Sequence, residues 1–120
     1  DGDINAAREM LINRLSDYQA VRKCRLIVVF DAYKVKGGTG SVEKRHGMHV
    51  VYTKEAETAD MYIEQASYDL SRKHRVRVAT SDGMEQMIIL GHGAERISAT
   101  ELQWEVEQAE RHIQSVMKRL

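Results

Sequence analysis

Two long segments, one near each end of the chain, repeat apolar residues every three or four positions, which is the spacing of an amphipathic helix. Over residues 3–20 the repeat consists of Ile4, Ala7, Leu11, Leu15 and Tyr18. Over residues 99–120 it consists of Leu102, Val106, Ala109, Ile113, Val116 and Leu120. Ser98 precedes the second segment and Glu101 follows three residues later, which is the pattern of a capping box. We predict a helix over each segment.

Shorter apolar segments between these helices predict a sheet. We predict a strand over residues 24–30, because its apolar run at 26–30 lacks polar alternation, which is typical of a strand covered on both faces. Further strands are predicted at 48–53, 76–80 and 96–98, with helices over 57–70 and 82–90. Residues 31–47 are predicted to be a flexible, glycine-containing loop. Because strands alternate with helices, we expect an α/β fold with a mostly parallel sheet and helices on both faces.

The composition of the chain limits the classes of protein to which it can belong. The length of 120 residues predicts a single domain, and the formal net charge of +0 excludes a globally basic protein. Any contact with nucleic acid must therefore come from a local patch. The longest apolar run, residues 26–30, is too short to span a membrane, and no signal-peptide pattern is visible. The single cysteine, Cys24, permits no intrachain disulfide and favours a reducing, cytoplasmic setting.

Three aspartates stand where a strand or its connection gives way to a loop or a helix. Asp31 follows the apolar run, Asp60 lies at the start of a predicted helix, and Asp82 joins a predicted strand to the next helix. Because the carboxyl ends of parallel strands meet at one edge of a sheet, we expect the three acids to lie together there. Mg²⁺ prefers oxygen ligands and usually combines one or two carboxylates with waters and a substrate phosphate. The pattern therefore predicts a metal pocket able to activate water for attack on a phosphodiester.

Each acid also has an ordinary structural interpretation. Asp31 fits a turn, Asp60 and Glu64 fit an acidic stripe near a helix N-terminus, and Asp82 with Glu85 fits an N-cap. Other chemistries have weaker support. The glycines at 37, 38 and 40 are not followed by the Lys-Ser/Thr of a P-loop, and the histidines lack zinc-site spacing.

The predicted loop after Asp31 is the best candidate for contact with nucleic-acid phosphates. It leaves the acidic edge directly, and its basic residues include Lys34, Lys36, Lys44 and Arg45. Ser81, beside Asp82, is a further candidate to position a ligand or a water.

Four motifs resemble the YacP-like NYN domains of bacteria, which belong to the wider PIN-like nuclease superfamily. They are VVFDAYKVKGG at 28–38, VVYTKEAETADMYIE at 50–64, ATSDGMEQ at 79–86 and GAERISATEL at 93–102. The resemblance spans nearly all of the chain, so residues 1–120 are expected to form one NYN/PIN-like domain with three α/β/α layers. It implies a Mg²⁺- or Mn²⁺-dependent endoribonuclease, and family members include a ribosome-associated enzyme that cuts mRNA. By this resemblance Asp31, Asp60 and Asp82 would be catalytic and metal-binding acids, and Glu64 and Glu85 would be further metal ligands.

The sequence departs from the family pattern at its start. Family members begin with an apolar strand that ends in an Asp-Gly-Tyr-Asn-like motif, whose aspartate is a principal metal ligand. This chain begins in the helix that follows that strand. We therefore expect a domain truncated relative to the family, a sheet that lacks a central strand, reduced activity, and self-association or rearrangement that closes the gap. The alternatives are a non-catalytic RNA- or ribosome-binding module and, with less support, a Mg²⁺-dependent phosphotransfer domain. The last would need a second aspartate two residues after Asp31, where Tyr33 stands.

Overall fold

The computed structural model describes residues 2–120, which fold into four helices and five strands. The elements in chain order are α1 (Gly2–Arg22), β1 (Ile27–Phe30), β2 (Ser41–Arg45), β3 (Met48–Tyr52), α2 (Ala59–Ser71), β4 (Arg77–Ala79), α3 (Gly83–Gly91), β5 (Glu95–Ile97) and α4 (Ala99–Lys118). None of the helices within this range is both long enough and apolar enough to cross a membrane.

The strands form two small sheets. In the larger sheet, β1 runs parallel to β3, with Val28 opposite Val50, and β2 runs antiparallel to β3 on its other side. In the smaller sheet, β4 runs parallel to β5. Among residues 2–120 no strand pairing joins the two sheets, so β1 and β4 each pair along one edge only. The expectation of mostly parallel strand pairing is thus confirmed, although the strands form two sheets rather than one.

The helices cover both faces of the strands and complete the predicted three-layer α/β/α arrangement. A larger core joins α1 and α4 to β1 and β3, and it is built from Ile12, Leu15, Tyr18, Met48, Val50, Val106 and Ala109. A smaller core joins α2 and α3 to β4 and contains Val78, Ile89 and Ala94. Val50 and Val51 are both almost fully buried. Because adjacent side chains of a strand point to opposite faces, β3 is covered on both sides.

The prediction of a loop over residues 31–47 was wrong in its second half, where Ser41–Arg45 forms β2. This strand lies at the sheet edge and most of it is exposed, so it carries no apolar pattern that would reveal it. His46 and Gly47 both have positive φ, of 51° and 81°, and turn the chain back into β3. Such a two-residue turn matches the twist of an antiparallel hairpin.

Two helix caps lie at the residues that the sequence predicted. Ser98 and Glu101 form the predicted capping box at the start of α4. Asp82 caps α3, although Glu85 turns into the interior and completes no box. Thr58, rather than an acid, caps α2 by accepting a hydrogen bond from the Met61 N–H.

A candidate acidic site at the carboxyl ends of the strands

Asp31 begins the acidic edge. It follows the last residue of β1 directly, is exposed, and accepts a 3.4 Å hydrogen bond from the Tyr33 N–H. The next residue, Ala32, donates its N–H to the Thr53 hydroxyl at 2.8 Å. Because Thr53 follows the end of β3, this bond holds the carboxyl ends of the two parallel strands together. The Asp31 carboxylate is therefore exposed at the carboxyl end of β1, where the sequence analysis placed it.

Asp60 lies in the first turn of α2, and neighbouring acids affect its pKa. Its pKa is raised above the ordinary aspartate value, first by partial desolvation and then by the negative charges of Asp82, Glu64 and Asp31. These residues come from β1, α2 and the start of α3, which lie far apart in sequence. Their electrostatic effect on Asp60 indicates that these acids lie near one another, beside the ends of strands from both sheets.

Asp82 has a structural task as well as a place in the cluster. Its Oδ1 accepts hydrogen bonds from the Met84 N–H at 2.9 Å and from the Glu85 N–H at 3.2 Å. The cap interpretation and the site interpretation of Asp82 are thus compatible. Ser81, the preceding residue, accepts a 3.3 Å hydrogen bond from the Ala99 N–H through its hydroxyl, so it connects this edge to the start of α4.

Glu85 is the buried member of the group, with 3% of its surface exposed. Burial and then hydrogen bonding and charge repulsion with Glu64 raise its pKa to about 7, with smaller contributions from Asp60 and Asp82. Its Oε1 has no hydrogen-bond partner. A buried carboxyl oxygen without a partner is costly, which sets Glu85 apart from an ordinary surface acid.

These donors suit a hard divalent cation, although they do not form a closed cage. Within residues 2–120, no three His, Cys, Asp or Glu side chains lie close enough together to hold a metal ion. The expected ready-made pocket of three aspartates is therefore not observed among residues 2–120. Mg²⁺ and Mn²⁺ need only one or two direct carboxylates when water and a phosphate complete the shell. The all-oxygen donor set and the unpartnered Glu85 Oε1 fit that requirement.

The predicted basic loop is divided between two edges of the sheet. Lys34 and Lys36 follow Asp31 and are exposed, and the Lys34 ammonium lies 5.5 Å from the Tyr33 ring centroid. Lys44 and Arg45 instead lie at the far end of β2, opposite His49 and Met48. Because β2 runs antiparallel to β3, the strand carries both residues away from the acids.

Arg45 is also engaged elsewhere. It forms a bidentate ion pair with Glu9 of α1, with its Nη2 2.6 Å from Glu9 Oε2. The predicted placement of Lys44 and Arg45 at the acidic edge was therefore wrong, because the strand β2 was not foreseen.

One cation at the acidic edge was missed by sequence reasoning. Arg8 of α1 lies over the paired rings of Phe30 and Tyr52, at the carboxyl ends of β1 and β3. The helical pattern predicted α1, but no local motif distinguished Arg8 from its neighbours. Only the packing of α1 against the sheet brings it to this edge.

The layers, the strand order and the converging acids define a PIN-like α/β domain. The chain belongs to the YacP-like NYN domain family, whose model matches residues 1–120. It is 44% identical over 118 residues to the "Uncharacterized protein YacP" of Bacillus subtilis (strain 168), a match that covers 95% of this chain and 67% of the relative.

Two solved structures of Rae1 (YacP) are also similar to this chain. The chain resembles the crystal structure of a mutant of Rae1 (YacP) from Bacillus subtilis with a TM-score of 0.80 and 41% identity. A second crystal structure of Rae1 (YacP) matches with a TM-score of 0.78 and 41% identity. Each match covers 95% of this chain and 66% of the solved one, so the chain spans about two thirds of the length of these relatives.

Proposed function

We propose that this domain is a metal-dependent endoribonuclease that hydrolyses RNA phosphodiesters, with mRNA on the ribosome in the cytoplasm as its setting. The observation that carries the proposal is that Asp31, Asp60 and Asp82 lie near enough to interact electrostatically, beside the carboxyl ends of β1 and β4, in a YacP-like NYN domain. The buried Glu85 and its neighbour Glu64 add acidic oxygens to the same group.

The exposed aspartates and the less exposed glutamates would have different roles. Asp31, Asp60 and Asp82 would hold Mg²⁺ or Mn²⁺, because each is exposed, and Glu64 and Glu85 would support them from α2 and α3. When bound, the cation lowers the pKa of a coordinated water and offsets negative charge on the phosphate. Glu85, with a pKa of about 7, keeps a proton on part of its population at neutral pH, which limits the repulsion inside the cluster.

Cleavage of a labelled single-stranded RNA by the purified chain tests the proposal. We expect cleavage with Mg²⁺ or Mn²⁺ and none with EDTA. Asp31→Asn and Asp82→Asn should each lower the rate by about a hundredfold or more, because a displaced water or phosphate reacts poorly. Asparagine caps helices as well as aspartate does, so Asp82→Asn removes the charge and keeps the cap of α3.

Asp17→Asn is the matched control. Asp17 is an exposed aspartate on α1 that contributes nothing to the charge felt by Asp60. Its substitution should leave the cleavage rate within about twofold, a change smaller than 0.5 kcal/mol in the barrier. Unchanged cleavage by Asp31→Asn or Asp82→Asn, in folded protein, would remove that residue from the mechanism.

A second candidate is a non-catalytic RNA- or ribosome-binding module. The observation in its favour is that no three metal-binding side chains in residues 2–120 form a ready-made cluster. Titration with Mg²⁺, followed by NMR, separates the two candidates. Local shifts at Asp31, Asp60 and Asp82 support the nuclease, whereas RNA binding with no Mg²⁺ response and no cleavage supports the binding module.

A further inference from the structure

Arg8 is held at the acidic edge by two aromatic rings. Its guanidinium carbon lies 5.8 Å from the Phe30 ring centroid and 6.0 Å from the Tyr52 ring centroid. The rings stack on each other with centroids 5.4 Å apart and planes inclined by 26°. Phe30 and Tyr52 are register partners at the ends of β1 and β3. Arg8 therefore lies at the carboxyl ends of β1 and β3, and Asp31 is the next residue of the chain after Phe30.

Among residues 2–120, no acid forms an ion pair with Arg8. In the part of the chain that the structure describes, ion pairs engage Arg14, Arg22, Arg45, Arg75 and Arg77 but not Arg8. Its side chain donates instead to the neutral Asn5 side-chain carbonyl at 3.3 Å. Arg22, which also lies over a tyrosine ring, differs in this respect because it pairs with Glu105.

A guanidinium near an aromatic ring remains a good ligand for phosphate. Its N–H donors point outward in the plane of the group, so a cation–π contact does not use them as hydrogen-bond donors. Two of them can bind two phosphate oxygens side by side. The half-buried position over the rings also limits the rotamers that Arg8 has to give up on binding.

RNA needs a cation near these acids in order to bind, because the acids repel its phosphates. Five carboxyl groups at one edge repel the backbone phosphates of RNA, even where a metal offsets part of their charge. Binding therefore requires fixed positive groups beside the acids rather than a globally basic surface, and the net charge of the chain is +0.

We propose that Arg8 is a positioning residue that binds a backbone phosphate of RNA next to the acidic site, with Phe30 and Tyr52 as its support. The proposal rests on the proposed function, since it specifies how the same site receives its polyanionic substrate. It assigns to the first half of α1 a role in substrate binding in addition to its role in the core.

The test measures binding of a fluorescein-labelled oligoribonucleotide by anisotropy in EDTA over a range of salt concentrations. Arg8→Gln should weaken binding by about three- to tenfold and should lower the salt slope by about 0.7, the value for one phosphate contact on a single strand. In cleavage assays with Mg²⁺ or Mn²⁺ it should raise KM more than it lowers kcat.

Two further variants control for charge and for folding. Arg119→Gln removes an equal charge at the end of α4, where Arg119 contacts only Ser115 by a side-chain hydrogen bond, and should change neither affinity nor slope. Arg8→Met keeps an unbranched apolar stem over the rings and should reproduce the effect of Arg8→Gln. Circular dichroism and thermal melting establish that each variant is folded.

The outcomes separate the two proposals. If the wild-type chain cleaves RNA and folded Arg8→Met keeps its affinity, salt slope and KM, the role of Arg8 is overturned and the nuclease proposal stands. If the wild-type chain binds RNA without cleaving it, the nuclease proposal fails, while a loss of affinity in Arg8→Met still supports the phosphate contact. If the wild-type chain neither binds nor cleaves RNA, both proposals fail.

Discussion

Arg77 of β4 forms a bidentate ion pair with Glu105 of α4, with Nη2 2.7 Å from Oε1 and Nη1 3.1 Å from Oε2. The same carboxylate accepts hydrogen bonds from the Tyr18 hydroxyl at 2.7 Å and from Arg22 at 2.9 Å. The contact therefore joins the smaller sheet to both α1 and α4. It matters because no strand pairing among residues 2–120 connects the two sheets.

Loss of the Glu105 charge should destabilise the fold. Hydrogen bonds from Arg77 and Tyr18 and the positive charges of Arg77 and Arg22 lower the pKa of Glu105 below its ordinary value of 4.5. We expect Glu105→Gln to lower the free energy of unfolding at pH 7 by about 1.5–3 kcal/mol, the range for hydrogen bonds to charged groups. Urea denaturation measures the difference, and the exposed Glu43→Gln serves as the neutral control.

The sign of the pH dependence follows from the lowered pKa of Glu105. Its contribution to stability is fully present above the unfolded-state pKa of about 4.5 and is lost as pH falls through the lower folded-state value. The difference between wild type and Glu105→Gln should therefore shrink as the pH is lowered below 4.5. A difference that stays constant down to the acid transition would contradict this account.

Glu85 should give the opposite pH dependence. Burial and Glu64 raise its folded-state pKa from 4.5 to about 7, so ionised Glu85 destabilises the fold increasingly as pH rises from about 4.5 to above 7. We expect Glu85→Gln to be more stable than wild type at pH 8 by about 1–3 kcal/mol, and to match it near pH 4. Urea denaturation in EDTA is the measurement, and equal stability at pH 8 would show that the carboxyl group is well solvated.

Gly40 should resist substitution because of its backbone and its surroundings. Its φ is +72°, and a Cβ there would lie 2.8 Å from the Tyr52 carbonyl oxygen and 3.0 Å from the Lys54 nitrogen. Gly40→Ala should lower the unfolding free energy by about 1–3 kcal/mol. Gly83→Ala, in the first turn of α3 with open space around it, should be neutral or stabilising by up to about 1 kcal/mol. Thermal melting of the pair separates backbone strain from a general sensitivity of glycines.

The unpaired edges of β1 and β4 should promote association between copies of the chain. A cavity of about 440 Å³ beside β4 is lined by Leu11, Arg14, Leu15, Ala79, Ala99, Leu102, Gln103 and Val106. Open apolar edges are templates for pairing with another chain. We expect light scattering after size exclusion to show a mass that grows with concentration, and Ala79→Lys, which places a charge in the cavity, to reduce it. A wild-type chain that stays monomeric at every concentration would rule out this association.

The sequence was most informative where one face of an element is buried. Helical spacing placed α1 and α4 within a few residues of their observed ends, and the apolar run before Asp31 predicted β1. The strand-end rule correctly placed Asp31 after β1 and Asp82 after β4, because the chain direction of parallel strands fixes where their ends lie. Local capping chemistry predicted the roles of Ser98 and Asp82 in the same way.

What the sequence could not predict depends on contacts between distant residues. The strand β2 carries Glu43 and Lys44 on an exposed edge, and only pairing with β3 makes it a strand. That one element moved Lys44 and Arg45 away from the acids. The burial of Glu85 and the stacking of Arg8 likewise arise from the packing of helices on the sheet, which no local pattern encodes.

The division of the strands into two sheets has a consequence for the acidic site itself. Asp31 is attached to the larger sheet and Asp82 to the smaller one, so the separation of the two carboxylates is set by helix packing and by the Arg77–Glu105 contact. A small shift of one sheet relative to the other would change the distance between Asp31 and Asp82 while every hydrogen bond between paired strands was kept. The spacing of the proposed metal site would thus depend on side-chain contacts such as Tyr18–Glu105 rather than on hydrogen bonds between strands.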